Sequence, residues 1–135
     1  MNYERVIIVI LLLMLFIAFC KLCNGPKYVK TEMYFGRNML DGTNVSNDEF
    51  HKFLNEIMTP LFPMGLTVYS TNGQMFDGKQ IVKELSFVVM VVHEPTVAYN
   101  NNVVKAIDSY KTRFKTTQVM QTQYSTDATF HHRFI

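Results

Sequence analysis

The sequence predicts an α+β domain, a ferredoxin-like βαββαβ sandwich with two helices on one face of an antiparallel sheet, behind an amino-terminal transmembrane helix. Three observations predict it. Residues 6–19 (VIIVILLLMLFIAF) form an uncharged apolar run. After it, segments of alternating polarity and segments of helical periodicity follow in the order strand, helix, strand, strand, helix, strand. Within the third strand, residues 87–92 (FVVMVV) are apolar on both faces, the pattern of a strand at the sheet centre. With right-handed crossovers this order places the first and third strands centrally. The divisions are an anchor over 1–23, a domain over 24–130 and a tail over 131–135.

The anchor segment lies between Arg5 and Lys21, with Val6, Ile10, Leu13, Phe16 and Phe19 along it. Twelve of residues 6–19 are Val, Ile, Leu or Phe; at roughly −0.4 kcal/mol each, they favour a bilayer by about 5 kcal/mol. As a helix, residues 6–23 reach about 27 Å, close to the ~30 Å hydrocarbon core. Lys21 then snorkels to the interface. The rival reading is a cleaved signal peptide, for which Ala18-Phe19-Cys20 makes a poor small-x-small site. Orientation stays open, since Arg5 on one side balances Lys21, Lys27 and Lys30 on the other.

Asn24-Gly25-Pro26 reads as a linker. Residues 27–35 (KYVKTEMYF) alternate as a strand with two unequal faces, and 36–44 form a loop. Ser46-Asn47-Asp48-Glu49 is a capping box. It opens a helix with Phe50, Phe53, Leu54, Ile57 and Met58 at helical spacing, which Pro60 and Pro63 are expected to stop near Thr59. Residues 65–71 make a strand, Asn72-Gly73 signals a hairpin turn with positive φ, and residues 74–76 return briefly before an Asp77-Gly78 turn. Residues 81–93 form the central strand. A helix over about 96–114 carries Val103, Ile107, Tyr110 and Phe114 on one stripe, and 118–124 (QVMQTQY) is the last strand.

Composition narrows the function. A formal charge of +2 without a basic stripe argues against a nucleic-acid binder. The two cysteines, Cys20 and Cys23, both sit at the end of the apolar run, so the domain holds no disulfide framework; acylation, an intermolecular disulfide or plain filling suits the pair better than redox chemistry. His51, His93, His131 and His132 have no metal-site spacing, and the sequence implies neither metal nor cofactor. Asn44-Val45-Ser46 is a glycosylation sequon, although Ser46 is better used as the helix cap. No nucleophile–base–orienter set is legible, so the expectation is a chain that is not an enzyme.

Apolar strand residues outnumber what two helices shield. The candidate partner-binding residues are therefore Tyr34, Phe87, Val89, Met90 and Val91, one alternating set of which must face a partner. An alternative is a small-molecule or catalytic pocket built from Glu32, Tyr34, Glu84 and His93, with Ser86 nearby. A sheet-to-sheet homodimer is a third possibility.

Two resemblances bear on this. Glu32-Met33-Tyr34-Phe35-Gly36, the run TPLFPMGLT at 59–67, Glu84-Leu85-Ser86 and Tyr110-Lys111-Thr112-Arg113-Phe114 resemble, in order, a bacterial domain family of unknown function found in small exported lipoproteins. That likeness spans about 30–130 and brings no established chemistry. Phe19 before Cys20 departs from its lipoprotein signal. By size, and by an apolar start followed by Lys21, the chain also resembles the baculovirus family of per os infectivity factor six. That resemblance implies an envelope protein of the occlusion-derived virion, sorted through the host inner nuclear membrane. It also implies other envelope proteins as partners, in the multi-protein complex that begins oral infection of insect midgut cells.

Overall fold

The computed structural model describes residues 2–23, 28–116 and 118–130, with 21–23 as backbone only. The expected linker at 24–26, the tail at 131–135 and the side chains of Lys21 and Cys23 lie outside the described residues.

Helix α1 (Tyr3–Cys23) is the one described helix long and apolar enough to cross a membrane, and none of its span is buried against the domain. Ile10, Leu13, Phe16 and Phe19 are all exposed along it, and Val6 is half-buried. The domain is a four-stranded antiparallel sheet in the order β2-β3-β1-β4, with β1 (Tyr28–Gly36) and β3 (Ile81–His93) in the middle as the sequence predicts. Strands β2 (Thr67–Phe76) and β4 (Val119–Thr126) form the edges.

The second helix, α2, starts where the capping box places it. Ser46 Oγ accepts from the Glu49 amide at 3.2 Å, and Glu49 Oε2 accepts from the Ser46 amide at 2.8 Å. It does not stop before Pro60. An α-helical stretch (Asn47–Phe53) passes into a π-helical turn (Leu54–Met58) and closes with Thr59–Leu61. In the wider turn the Thr59 amide bonds to Leu54; Pro60, without an amide proton, then begins the last turn where no donor is needed. The third helix, α3 (Val97–Phe114), is capped by Thr96 and leaves through Lys115 at φ 51.

The expected Asn72-Gly73 turn is not one. Gly73 pairs with Glu84 inside β2, and its φ is not positive. The chain reverses at 77–80, where Asp77 Oδ1 accepts from the amides of Lys79 and Gln80 (both 2.9 Å) and Gly78 takes φ 95. The Asp side chain holds this turn with two bonds, so the register it imposes wins over the local preference of Asn-Gly.

Register assigns the faces. Thr31, Met33 and Phe35 of β1 stand opposite Val91, Val89 and Phe87 of β3. All six are buried, five of them in one core with Phe50, Phe53 and Met58 of α2 and Val103, Ala106, Tyr110 and Phe114 of α3. The core is largely aromatic: Phe50 stacks on Phe87 at 3.9 Å, and Phe35 lies 4.6 Å from Tyr110. Such ring pairs add about 0.5–1.5 kcal/mol each beyond the area they bury. Three of the expected partner-binding residues are therefore corrected: Phe87, Val89 and Val91 lie beneath the helices. The unbroken apolar run hides which alternate set faces outward.

Candidate functional site

The other sheet face carries no helix among the described residues. Tyr34 of β1 stands opposite Val88 of β3, which stands opposite Tyr69 of β2. The next row runs Thr67, Met90, Glu32 and Thr122, and Met120 and Tyr124 of β4 complete the surface. Val88, flanked by the two tyrosines, is buried, but Tyr69, Met120 and Tyr124 are about half exposed. Tyr34 and Met90 thus lie on this open face, as expected of partner-binding candidates. Sequence reasoning missed Tyr69, Met120 and Tyr124. An alternation count on the edge strands, matched to the even positions of β1, would have found them.

Polar groups on this face satisfy one another. Lys30 Nζ lies 2.8 Å from Glu32 Oε1, while Tyr34 Oη and Thr122 Oγ1 donate to Glu32 Oε2 at 3.0 and 3.4 Å. The bond from Lys30, then that from Tyr34, holds the Glu32 carboxyl below the usual range. The same two bonds push the Lys30 ammonium and the Tyr34 phenol upward. A carboxylate with three donors and a lowered pKa is a poor proton acceptor, so Glu32 works as the hub of a surface network.

Glu84 sits at the far end of the same face. Its Oε1 accepts from the Asn38 amide at 3.1 Å and lies 2.5 Å from where a Cβ on Gly36 would stand, so the absent side chain makes its place. Tyr34, Gly36, Thr71, Glu84, Ser86 and Met120 line a shallow cleft of about 350 Å³ here.

The expected pocket does not hold together. Tyr34, Glu84 and Ser86 share the cleft, but Glu32 is turned into its own network and His93 lies on the opposite, helix-covered face. From Phe87 onward the odd positions of β3 are buried on the core side, which carries His93 away from Glu84. Its ring is also fully used. Nδ1 is 2.7 Å from the Glu94 carbonyl, which can only accept, so Nδ1 carries the proton; Nε2 then accepts from Thr31 Oγ1 at 2.9 Å. Gln123 donates in turn to Thr31 at 3.1 Å. His93 is a satisfied core histidine. His51 is exposed on α2, with Nδ1 2.7 Å from Asn47 O. Cys20 is a free, exposed thiol on α1.

Among known proteins, two solved structures share the fold. A phage SAM lyase in complex with S-methyl-5'-thioadenosine is 12% identical, with a TM-score of 0.58 over 75% of this chain and 83% of its own. The same kind of enzyme in its apo state is 14% identical, with a TM-score of 0.55 over 77% and 92%. At such identities the likeness concerns the fold. It nevertheless overturns the expectation that the chain is not an enzyme, because that expectation excluded catalysis from a fold that carries it in the phage lyase. No curated protein sequence matches the chain. The profile of a family described as "Protein of unknown function (DUF3574)" matches residues 30–130, which hold every strand pair but the first residues of β1, both domain helices and the open face. The chain belongs to that family.

Proposed function

We propose that this chain is a single-pass membrane protein whose domain docks other membrane proteins through its open sheet face. The half-exposed Tyr69, Met120 and Tyr124 around Tyr34 and Met90 carry this reading. Aromatic and methionine side chains are the types enriched in protein interfaces. The Lys30–Glu32 pair leaves the patch without excess charge, and an anchor through α1 confines the domain to the surface where its partners sit. The sheet order, 4-1-3-2 from the β4 edge, supports reading the fold as a ferredoxin-like sandwich with one sheet face free for such contacts. In its finer form, resting on the resemblance to per os infectivity factor six, the chain is an envelope subunit of the occlusion-derived virion. Its partners are then other envelope proteins of the oral-infection complex, and it reaches the virion through the host inner nuclear membrane.

The Lys30 amine makes the proposal testable by crosslinking mass spectrometry on intact membranes. Crosslinks from Lys30 to a second membrane protein are expected, and Met90→Lys should reduce them at least tenfold while the domain stays folded. Lys30 crosslinks confined to the chain itself or to a second copy, or full retention in the variant, would defeat the idea.

The cleft favours a second reading, a small ligand bound between Tyr34 and Glu84. The likeness to a lyase solved in complex with S-methyl-5'-thioadenosine supports an adenosine-bearing thioether as the probe. Calorimetric titration of the full-length chain should give saturable heat. Gly36→Ala, which displaces the Glu84 carboxylate, should weaken it about tenfold, a scale set by losing one hydrogen bond to a charged group. Absence of heat, or no effect of the substitution, sinks this reading.

A further inference from the structure

A second cavity, of about 420 Å³, wraps the end of the sheet where β1 begins. Among the described residues, four rings line it: Tyr28 at the head of β1, His93 at the end of β3, Tyr99 in the first turn of α3, and Phe130 beyond β4. They are arranged in two pairs. Tyr28 meets Phe130 edge-on at 5.4 Å, and Tyr99 stacks on His93 at 5.2 Å. Among the described residues, the charged side chain in the lining is Glu94. With both nitrogens of His93 committed to Glu94 O and Thr31 Oγ1, that ring presents no free donor.

Aromatic walls carry negative potential on their faces, and a carboxylate adds a full negative charge. Together they attract a cation. A primary ammonium holds its water tightly and needs several acceptors, which the rings do not supply. A quaternary ammonium has no N–H to satisfy and an apolar rim that the rings can bury, which is how choline and methylated amines are recognised elsewhere. The amino end of α3 lies beside Tyr99 and carries positive potential. Its Tyr99 amide, however, donates to Thr96 Oγ1 at 3.3 Å, and Glu94 offsets the remainder.

We infer that this cavity binds a quaternary ammonium group of the choline type. The inference extends the membrane-anchored reading, because a choline headgroup is then within reach. Tyr28 follows the last residue of α1, Cys23, by five residues, so it lies no more than about 18 Å from the helix end, whatever path joins them. With α1 as the anchor, the strand end that opens the cavity therefore stays within that reach of the membrane surface.

The test uses the full-length chain in maltoside micelles, which contain no choline. Choline chloride and tetramethylammonium chloride are titrated by calorimetry, with ammonium chloride as the control. Saturable binding of both quaternary ions, and none of ammonium, is expected. Tyr99→Leu should weaken it about tenfold and Glu94→Gln about threefold, in line with one cation–π contact and one partly exposed charge. Glu94 is exposed, so its variant remains informative if Tyr99→Leu fails to fold. No saturable choline binding, or binding untouched by Glu94→Gln, overturns the inference. This arm needs no bilayer, so it stands or falls apart from the anchor. A second arm finds the source of the cation, with the chain placed in phosphatidylcholine or phosphatidylglycerol nanodiscs. Added choline that binds at least tenfold more weakly in phosphatidylcholine identifies the lipid headgroup as occupant; equal affinity in both identifies a soluble quaternary ammonium.

Discussion

Replacing Val89 by lysine should abolish the folded domain, whereas the same change at the next residue should leave it folded. Val89 has no exposed surface; it stands between Met33 and Val68 in the sheet and belongs to the core cluster under the helices. An ammonium there has no partner within the cluster, and an unpaired buried charge costs several kcal/mol. The longer chain also overfills the site, adding about 1–3 kcal/mol. Together these terms match most of the 5–15 kcal/mol by which a domain of this size is stable. Met90 points the other way. It is half-buried on the open face opposite Glu32, so a lysine there keeps its head in water and gains a carboxylate neighbour. Thermal unfolding followed by circular dichroism decides the matter. A cooperative transition lost in Val89→Lys and kept within a few degrees in Met90→Lys is expected. Equal damage from both would mean that the two faces are buried alike, and that the open face is not open.

This pair of substitutions also marks how far the sequence was legible. The alternation in β1, the capping box at Ser46, the limits of β3 and the stripe on α3 follow from residue type and spacing alone, because each depends on local chemistry. The outward set of β3 does not. Its apolar run is uniform, and only pairing with β1, where Thr31 faces Val91 and Glu32 faces Met90, breaks the tie. The same pairing moves His93 to the core side and away from Glu84. Turn chemistry misled at Asn72-Gly73 because a stronger local device, Asp77 accepting from two amides, lay four residues on. Pro60 misled because a π-helical turn before it removed the bond that a proline breaks. Of the candidate site, the Glu32–Tyr34 pair was readable from its i, i+2 spacing on one strand face. The cavity lined by Tyr28, Tyr99 and Phe130 was not, since its rings come from three distant segments.

Tyr110 joins the core to the candidate cleft, and Tyr110→Phe should expose that link. The side chain is fully buried among Phe35, Phe53 and Phe114, yet its Oη donates to the Gly36 carbonyl at 2.9 Å. Phenylalanine keeps the ring packing and removes the donor, so the Gly36 carbonyl loses a partner at the point where Glu84 approaches. The expected cost is about 1–3 kcal/mol at neutral pH. A pH dependence separates this from a packing effect. Burial pushes the Tyr110 phenol well above its ordinary value of 10.0. A raised native pKa means that the stabilisation is complete below the unfolded value and declines as pH climbs from there through the folded value, because the unfolded chain ionises first. The other tyrosines titrate in both proteins and cancel in the comparison. The difference in urea midpoint between native chain and variant should therefore be constant from neutral pH up to about 10 and shrink above it. A difference that stays flat across the alkaline range would mean that the phenol ionises as readily in the folded protein as in water, and that the bond to Gly36 is not made in a dry core.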